Sequence, residues 1–495
     1  MTYQVQQPRR TWGEVYRAFK NPKVISLLFL GLSAGIPILL IFSTLSVWLR
    51  EAGVSRATIG FFSWAALGYA FKFIWAPLID KLPVPILSHL LGRRRAWLLI
   101  SQFLIILSLL LIATSDPNQS LETLAIFTVI LGFSAATQDI VIDAYRIEVA
   151  DVDLQGIMSS AYIAGYRIGM LVAGAGALEL AGFFDGGNGY ILAAWSKTYM
   201  AMAVVMVIGV LTTCVISEPK ATGPDDRHLK TNTDYLRFLG CFLFVAGAFI
   251  LAFIISTDLV DESKSYLIKN IFLAPQLASF LVEALRLCVA IIAATVMGYV
   301  LIATKLVPKR VITETYLGPF SDFFGRYGKA AFLILALIST YRIADVIMGV
   351  MANVFYVDLG FEKQEIGRIS KGFGLIMTLL GGFMGGALAV RYGVMKVLMS
   401  GAILASASNL LFALLASVGH DITALILVIS ADNLSAGIAS AAFVAYLSSL
   451  TSTSFTASQY ALFSSIMVLL PKILAGYSGV MVEIVGYEMF FIGTA

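Results

Sequence analysis

The sequence predicts an all-α polytopic membrane protein, and three observations carry that prediction. Hydrophobic residues make up 59% of the 495 positions and charged residues 13%, with a mean hydropathy of +0.87, a balance that excludes a string of soluble domains. Apolar runs long enough for a hydrocarbon core roughly 30 Å thick, about 20 residues each, recur about thirteen times. These runs are continuously apolar and do not alternate, so they are helices and not barrel strands.

The spans are expected near residues 23–49, 57–80, 95–115, 120–146, 156–182 and 196–217, then 236–257 and 277–304, then 329–357, 364–391, 395–418, 422–450 and 457–484. The first follows Arg9, Arg10, Arg17, Lys20 and Lys23 as a signal peptide would, but its length and the lack of an Ala-x-Ala site make it a retained span. The last apolar run, from Tyr487 to Ala495, would rise roughly 13 Å as a helix and is expected to be a truncated final helix. Net charge is 34 − 30 = +4 and resides in the loops, which points to topology signals and not to nucleic-acid binding. Cys214, Cys241 and Cys288 lie in apolar runs without ligand spacing, so no metal site is expected.

Lys81 with Arg93, Arg94 and Arg95, Arg146, Lys220 with Arg227 and Lys230, Lys305 with Lys309 and Arg310, and Arg391 with Lys396 all fall on one side with the N-terminus. The positive-inside rule makes that side the cytoplasm. The opposite loops are cation-poor, apart from lysines in DESKSYLIKN at 261–270 and after Phe361.

An internal repeat is visible in the chain itself. LREAGVSRATIG at 49–60 and YVDLGFEKQEIG at 356–367 share Gly53/Gly360 and Gly60/Gly367 at an offset of 367 − 60 = 307. GRRRAW at 92–97 and RYGVMK at 391–396 occupy equivalent turns. Two bundles of about six helices, residues 1–217 and 329–495, with linkers and an inserted helix pair at 218–328, explain this pattern, and parallel halves around a central cavity define the major facilitator architecture.

Within that organisation the chain resembles the AmpG-type muropeptide permeases of the major facilitator superfamily. The resemblance rests on GIPILL at 35–40, APLIDK at 76–81 followed by GRRRAWLL, SAATQDIVIDAYR at 134–146, GYRIGMLVAG at 165–174, DNLSAGIASAAFVAYL at 432–447 and SFTASQYALFSSI at 454–466, so it covers both bundles. The ten residues between Lys81 and Gly92 depart from the superfamily's general cytoplasmic motif in the manner of these permeases. The resemblance implies proton-coupled import of anhydro-muropeptides across the bacterial inner membrane for peptidoglycan recycling, with the proton gradient as energy source and no cofactor. The inserted helix pair departs from the simplest layout of the family.

The charges inside the spans are the candidate machinery. Asp139 and Asp143 are spaced i, i+4 and share a helical face, where burial and mutual repulsion favour proton uptake. With Asp345 they are the expected proton-coupling acids. Asp143 and Arg146, three residues apart, equally fit a cytoplasmic gate with Asp80, Arg93, Arg94 and Arg95. Lys72, Arg167, Arg342, Lys371 and Asp432 lie at depths where a charge costs several kcal/mol unless it faces a wet cavity or a partner. Four of these five are cations, which suits an anionic sugar-peptide whose carboxylates an arginine can hold at two oxygens. Gln138, Tyr166 and Asn433 complete the expected substrate site, with Tyr341 and Tyr446 as further phenols. The alternative for Arg342 and Asp345 is a closed i, i+3 salt bridge, for Lys472 beside Pro471 a place at a kink, and for the tyrosines packing.

A membrane-embedded transferase would need clustered His, Cys, Ser or acidic groups near one face, whereas His89, His228 and His420 lie far apart. No phosphate-binding loop supports an ATP-driven pump. A passive channel has no need of duplicated bundles with titratable acids. Among transporters, an acetyl-CoA-type or other organic-anion carrier also fits the cations. The expectation is a monomer in the lipid bilayer that rocks about a central site and is not an enzyme.

Overall fold

The structure is a computed structural model that describes residues 12–54, 58–59, 62, 69, 71–149, 154–186, 190–219, 232–271, 275–304, 306, 313–475 and 478–495. Arg9, Arg10, Lys220, Arg227, His228, Lys230, Lys305, Lys309 and Arg310 lie outside the described residues, and so do the side chains of Lys371 and Lys472. Among the described residues nine helices are long and apolar enough to cross a membrane, or ten if one bent pair is counted as a span. The chain divides into two compact units, Met1–Thr222 with Lys329–Ala495, and Gly223–Gly328.

In the first unit, α1 (Trp12–Phe19) precedes a span broken into α2 (Pro22–Ile41) and α3 (Ser43–Glu51). Of the second span the structure describes chiefly a 3-10 turn at Lys72–Ile74 and α4 (Ala76–Lys81). Then come α5 (Arg93–Ala113), α6 (Leu121–Val149), α7 (Gln155–Leu171), α8 (Ala177–Asp185) and α9 (Leu192–Val215). Where the sequence suggests an unbroken first span, the backbone departs from the helix at Phe42 (φ −95°, ψ −92°). Lipid offers no partner for a freed backbone group. The Phe42 carbonyl therefore accepts from Ser46 Oγ at 2.7 Å, and the Ala173 carbonyl, in the π-turn Val172–Gly176 between α7 and α8, accepts from Thr44 Oγ1 at 2.7 Å. The Thr44 bond ties the two irregularities together. Trp48 stacks on Trp195 with centroids 5.9 Å apart, and the Trp195 indole donates to Glu51, closing this bundle's far end.

The second unit holds α10 (Asn232–Ile255), α11 (Thr257–Asn270), α12 (Pro275–Ala303) and α13 (Gly318–Tyr327). The segment expected as a lysine-bearing loop is the helix α11, bent 46° from the apolar end of α10. Asp258 in its first turn and Lys269 in its last oppose the helix dipole. Arg286 of α12 satisfies the break, donating to the Phe253 carbonyl at 2.5 Å and to Thr257 Oγ1 at 2.8 Å while lying over the Phe253 ring.

The first unit resumes with α14 (Ala330–Thr340), α15 (Ile343–Asp358), α16 (Gly374–Tyr392), α17 (Val394–Val418), α18 (Ile422–Leu450), α19 (Thr456–Ala475) and α20 (Ser478–Thr494). The repeat is written in the backbone. α6 and α18 are both 29 residues long and start 422 − 121 = 301 positions apart. Gly92 (φ 90°) and Gly393 (φ 89°), also 301 apart, open α5 and α17 in a left-handed conformation that a side chain would strain. The span formed by α14 and α15 breaks at Tyr341–Arg342 as the first span breaks at Phe42. There the Tyr341 ring stacks on Phe443 with centroids 4.6 Å apart, and its hydroxyl donates to the Leu398 carbonyl at 2.9 Å.

The two bundles of this unit meet where α7 packs on α16. Ser160 Oγ donates to the Gly382 carbonyl at 2.7 Å, and a Cβ on Gly386 would meet the Gly156 carbonyl at 2.8 Å. Small residues set the approach of the helices.

Candidate transport site

One chain of charges threads the first bundle. Lys72 sits at the 3-10 turn of the second span, where the backbone leaves the regular helix. Its Nζ lies 2.5 Å from Asp139 Oδ2 and 3.7 Å from Asp143 Oδ2, with the lysine and aspartate side chains 7% and 13% exposed in the closer pair. Asp139 also accepts from the Tyr162 hydroxyl of α7 at 2.6 Å. Asp143 Oδ1 lies 3.3 Å from Arg146 Nη2. The fully buried Arg146 guanidinium then donates to Ser159 Oγ at 3.0 Å and, across to α18, to Ser448 Oγ at 2.6 Å, and it lies over the Tyr460 ring of α19. Two carboxylates and two cations balance in this chain, which is how buried charge is tolerated. The i, i+4 spacing on α6 puts both acids on the face that Lys72 covers.

A second network clasps the bundles at the end carrying the basic turns. Asp80, at the close of α4, accepts from the Ala457 and Ser458 amides at 3.1 and 2.7 Å and from Ser458 Oγ at 2.6 Å. A first-bundle carboxylate thus caps the N-terminus of α19, where unpaired amides and the helix dipole favour an anion. Arg94 joins Asp80 at 2.9 Å, Glu148 at 2.5 Å and Thr456 Oγ1 at 2.8 Å, and Thr456 donates to Glu148. The arginine triplet divides its work. Arg93 donates to the Asp80 carbonyl, whereas Arg95 turns to α9 and binds the Thr213 and Cys214 carbonyls at 3.1 and 2.9 Å. Glu218 accepts the Arg94 and Arg95 amides at the start of α5.

The remaining expected residues separate. Gln138 is fully buried within the first bundle and donates to Ser33 Oγ at 3.3 Å, on the α2 side of α6 and off the Lys72 face. Tyr166 is half-buried with its ring 6.1 Å from Tyr162. Arg167 is half-buried beside it. Arg342 lies 3.6 Å from Asp345, both partly exposed. Asp432 accepts from Ser408 Oγ at 3.4 Å. Asn433 is held by Thr378 Oγ1 at 2.8 Å and donates to the Ile429 carbonyl at 3.0 Å.

Sequence reasoning passed over Tyr162, Ser448, Tyr460, Glu148, Thr456 and Ser458. The run Thr456-Ala457-Ser458 opening a helix is a capping signal, but its partner lies 458 − 80 = 378 residues away. Among the described residues no group of three or more His, Cys, Asp or Glu could hold a metal ion.

Two pseudo-repeated bundles around a seam of compensated charges, clasped at one end, are the build of a secondary transporter. The sequence profile of the Major Facilitator Superfamily matches residues 27–343. A Rickettsia conorii protein designated AmpG 4 is 30% identical over 480 residues, covering 97% of this chain and 95% of its own. An Escherichia coli K12 protein named anhydromuropeptide permease is 28% identical over 481 residues, covering 97% of this chain and 78% of its own. Among solved structures, the major facilitator proton:xylose symporter XylE shares the fold with a TM-score of 0.54 at 12% identity, over 97% of this chain and 94% of that one. The chain belongs to the AmpG-type transporters of the major facilitator superfamily, and it is a multi-pass membrane transporter, not an enzyme.

Proposed function

We propose that this protein imports anhydro-muropeptides, sugar-peptides bearing carboxylates, across the bacterial inner membrane together with protons. It works as a monomer with its N-terminus in the cytoplasm and needs no cofactor beyond the proton gradient. The observation that carries the reading is the Lys72–Asp139–Asp143–Arg146 chain. It lies inside one bundle, ends on the other, and is charge-balanced, so each proton it accepts leaves a cation uncompensated. The name of the E. coli relative supports the substrate class. Arg167 and Arg342, one cation from each bundle, suit the substrate's carboxylates. Tyr166, Lys371 and Asp432 are the further substrate contacts. Gln138 and Asn433 act behind them, as side chains already engaged within their bundles. Asp80, Arg93 and Arg94 form the cytoplasmic gate, with Arg95 bracing α5 against α9.

The test is uptake of labelled anhydro-muropeptide into proteoliposomes with and without an inward proton gradient. Gradient-stimulated uptake is expected. Uptake indifferent to the gradient removes proton coupling, and robust acyl-CoA transport without muropeptide uptake assigns the protein to organic anions.

A further inference from the structure

Lys72 is engaged otherwise than a substrate ligand would be. Its ammonium is buried, in contact with Asp139, and one short displacement from Asp143, while Asp143 holds Arg146 at a long 3.3 Å. We propose that Lys72 is the coupling switch: a proton on Asp139 transfers Lys72 wholly to Asp143, which releases Arg146 and with it the Arg146–Ser448 bond that joins the bundles. This rests on the proton-coupled reading and specifies how that site is linked to conformation.

The argument follows the charges. Asp139, Asp143, Lys72 and Arg146 sum to zero, and no member is more than slightly exposed. A proton arriving on Asp139 removes the partner at 2.5 Å. The nearest remaining anion for Lys72 is Asp143, which must then serve two cations. Lysine is the compact and mobile cation of the pair, and arginine the rigid one. Arg146, losing its carboxylate in a dry site, becomes a buried cation held by two serine hydroxyls and the Tyr460 ring. Such a cation is relieved by hydration when the clasped end opens. The titratable and charged groups facing the acids are Lys72 and Tyr69 from the second span, Arg146 on α6, Tyr162 and Tyr166 from α7 and Tyr460 from α19. Lys72 is the one among them placed to exchange between two carboxylates.

The experiment is a double-mutant cycle read by spin-label distances, without substrate, in lipid nanodiscs. Labels at Leu90→Cys and Met395→Cys, both exposed and next to the basic turns of opposite bundles, report opening, with the exposed Cys214 and Cys288 changed to Ser. Asp139→Asn mimics the protonated acid and is expected to raise the open-to-closed ratio at least about fivefold, the scale of one buried hydrogen bond, at all pH values. Adding Lys72→Met leaves the Asp143–Arg146 pair balanced and is expected to restore the closed distance. Ser448→Ala should raise the open fraction and blunt the further response to Asp139→Asn, because the bond that the switch releases is already gone. If Asp139→Asn opens the protein equally with and without Lys72, or fails to open it, the switch is wrong. Because the double variant retains a neutral pair, its return to the closed distance also shows that it folds. A working cycle beside absent muropeptide uptake overturns the substrate reading alone.

Discussion

The two bundles share a backbone and differ in their charges. Aligned through Tyr145 and Tyr446, 446 − 145 = 301 residues apart, α6 places Asp139, Asp143 and Arg146 where α18 carries Ser440, Val444 and Leu447. In the first bundle each of those charges has an opposite partner, and the chain runs to the other bundle. In the second, Asp345 has Arg342 at 3.6 Å with both side chains partly exposed, and Asp432 accepts only from a serine at 3.4 Å among the described residues. Duplication conserved the scaffold while the charge chemistry diverged. We propose on that difference that energy coupling belongs to the first half, while solute contacts and the gate draw on both.

The sharpest way to break it is at the clasp, where the halves are tied by a capped helix. Asp80→Ala removes three hydrogen bonds to the start of α19 and one partner of buried Arg94. A loss of about 3 kcal/mol is expected, since breaking one side of a buried ion pair costs roughly 3–5 kcal/mol and Glu148 still holds Arg94. The closed state should then lose more than about a hundredfold in relative population, which spin-label distances across the basic end would register. An unchanged distance distribution would mean that the α7–α16 contact and the Arg146–Ser448 and Arg94–Thr456 bonds hold that end without Asp80.

Next in size is Asp139→Asn, expected to abolish stimulation of uptake by an inward proton gradient while leaving exchange of solute across equilibrated membranes within about twofold, because an asparagine binds no proton but keeps the side chain's shape. The parallel change in the second half, Asp432→Asn, should leave gradient stimulation intact. If the two variants behave alike, the proposed asymmetry is gone.

That asymmetry was half legible in the chain. The offset of about 300 residues, the paired turns at Gly92 and Gly393, and the acids of α6 that α18 does not match can all be read from residue order, and the backbone repeats the first two. What a side chain faces could not be read. In a soluble helix the apolar stripe marks the buried side, but lipid is as apolar as a bundle core, so α6 carries no stripe that separates Gln138, facing Ser33, from Asp139, facing Lys72. The same blindness hid that Arg93 and Arg94 share Asp80 while Arg95 turns to α9. Breaks were missed for another reason. Nothing in residue composition at Phe42 or Tyr341 signals a helix end, because what holds each break is a side chain's distant partner, Thr44 on the Ala173 carbonyl and the Tyr341 hydroxyl on the Leu398 carbonyl.

The smallest expected effects compare one arginine from each bundle, Arg167 and Arg342. Both should bind solute carboxylate, and a hydrogen bond to a charged group is worth about 1.5–3 kcal/mol, so Arg167→Gln should raise KM for uptake about tenfold or more with little change in maximal rate. Arg342 already spends part of its charge on Asp345 at 3.6 Å, and both are partly solvated, where ion pairs are worth about 0–1 kcal/mol. Arg342→Gln therefore releases a carboxylate as well as removing a cation, and its KM should rise more than that of Arg167→Gln unless Asp345 is neutralised with it. The double change Arg342→Gln with Asp345→Asn should bring KM back to within about threefold of the Arg167→Gln value, a residual smaller than one decade in affinity. A double variant no better than Arg342→Gln alone would show that the Asp345 charge does not oppose the solute, and the second bundle would then contribute a cation without the restraint that its pair with Asp345 implies.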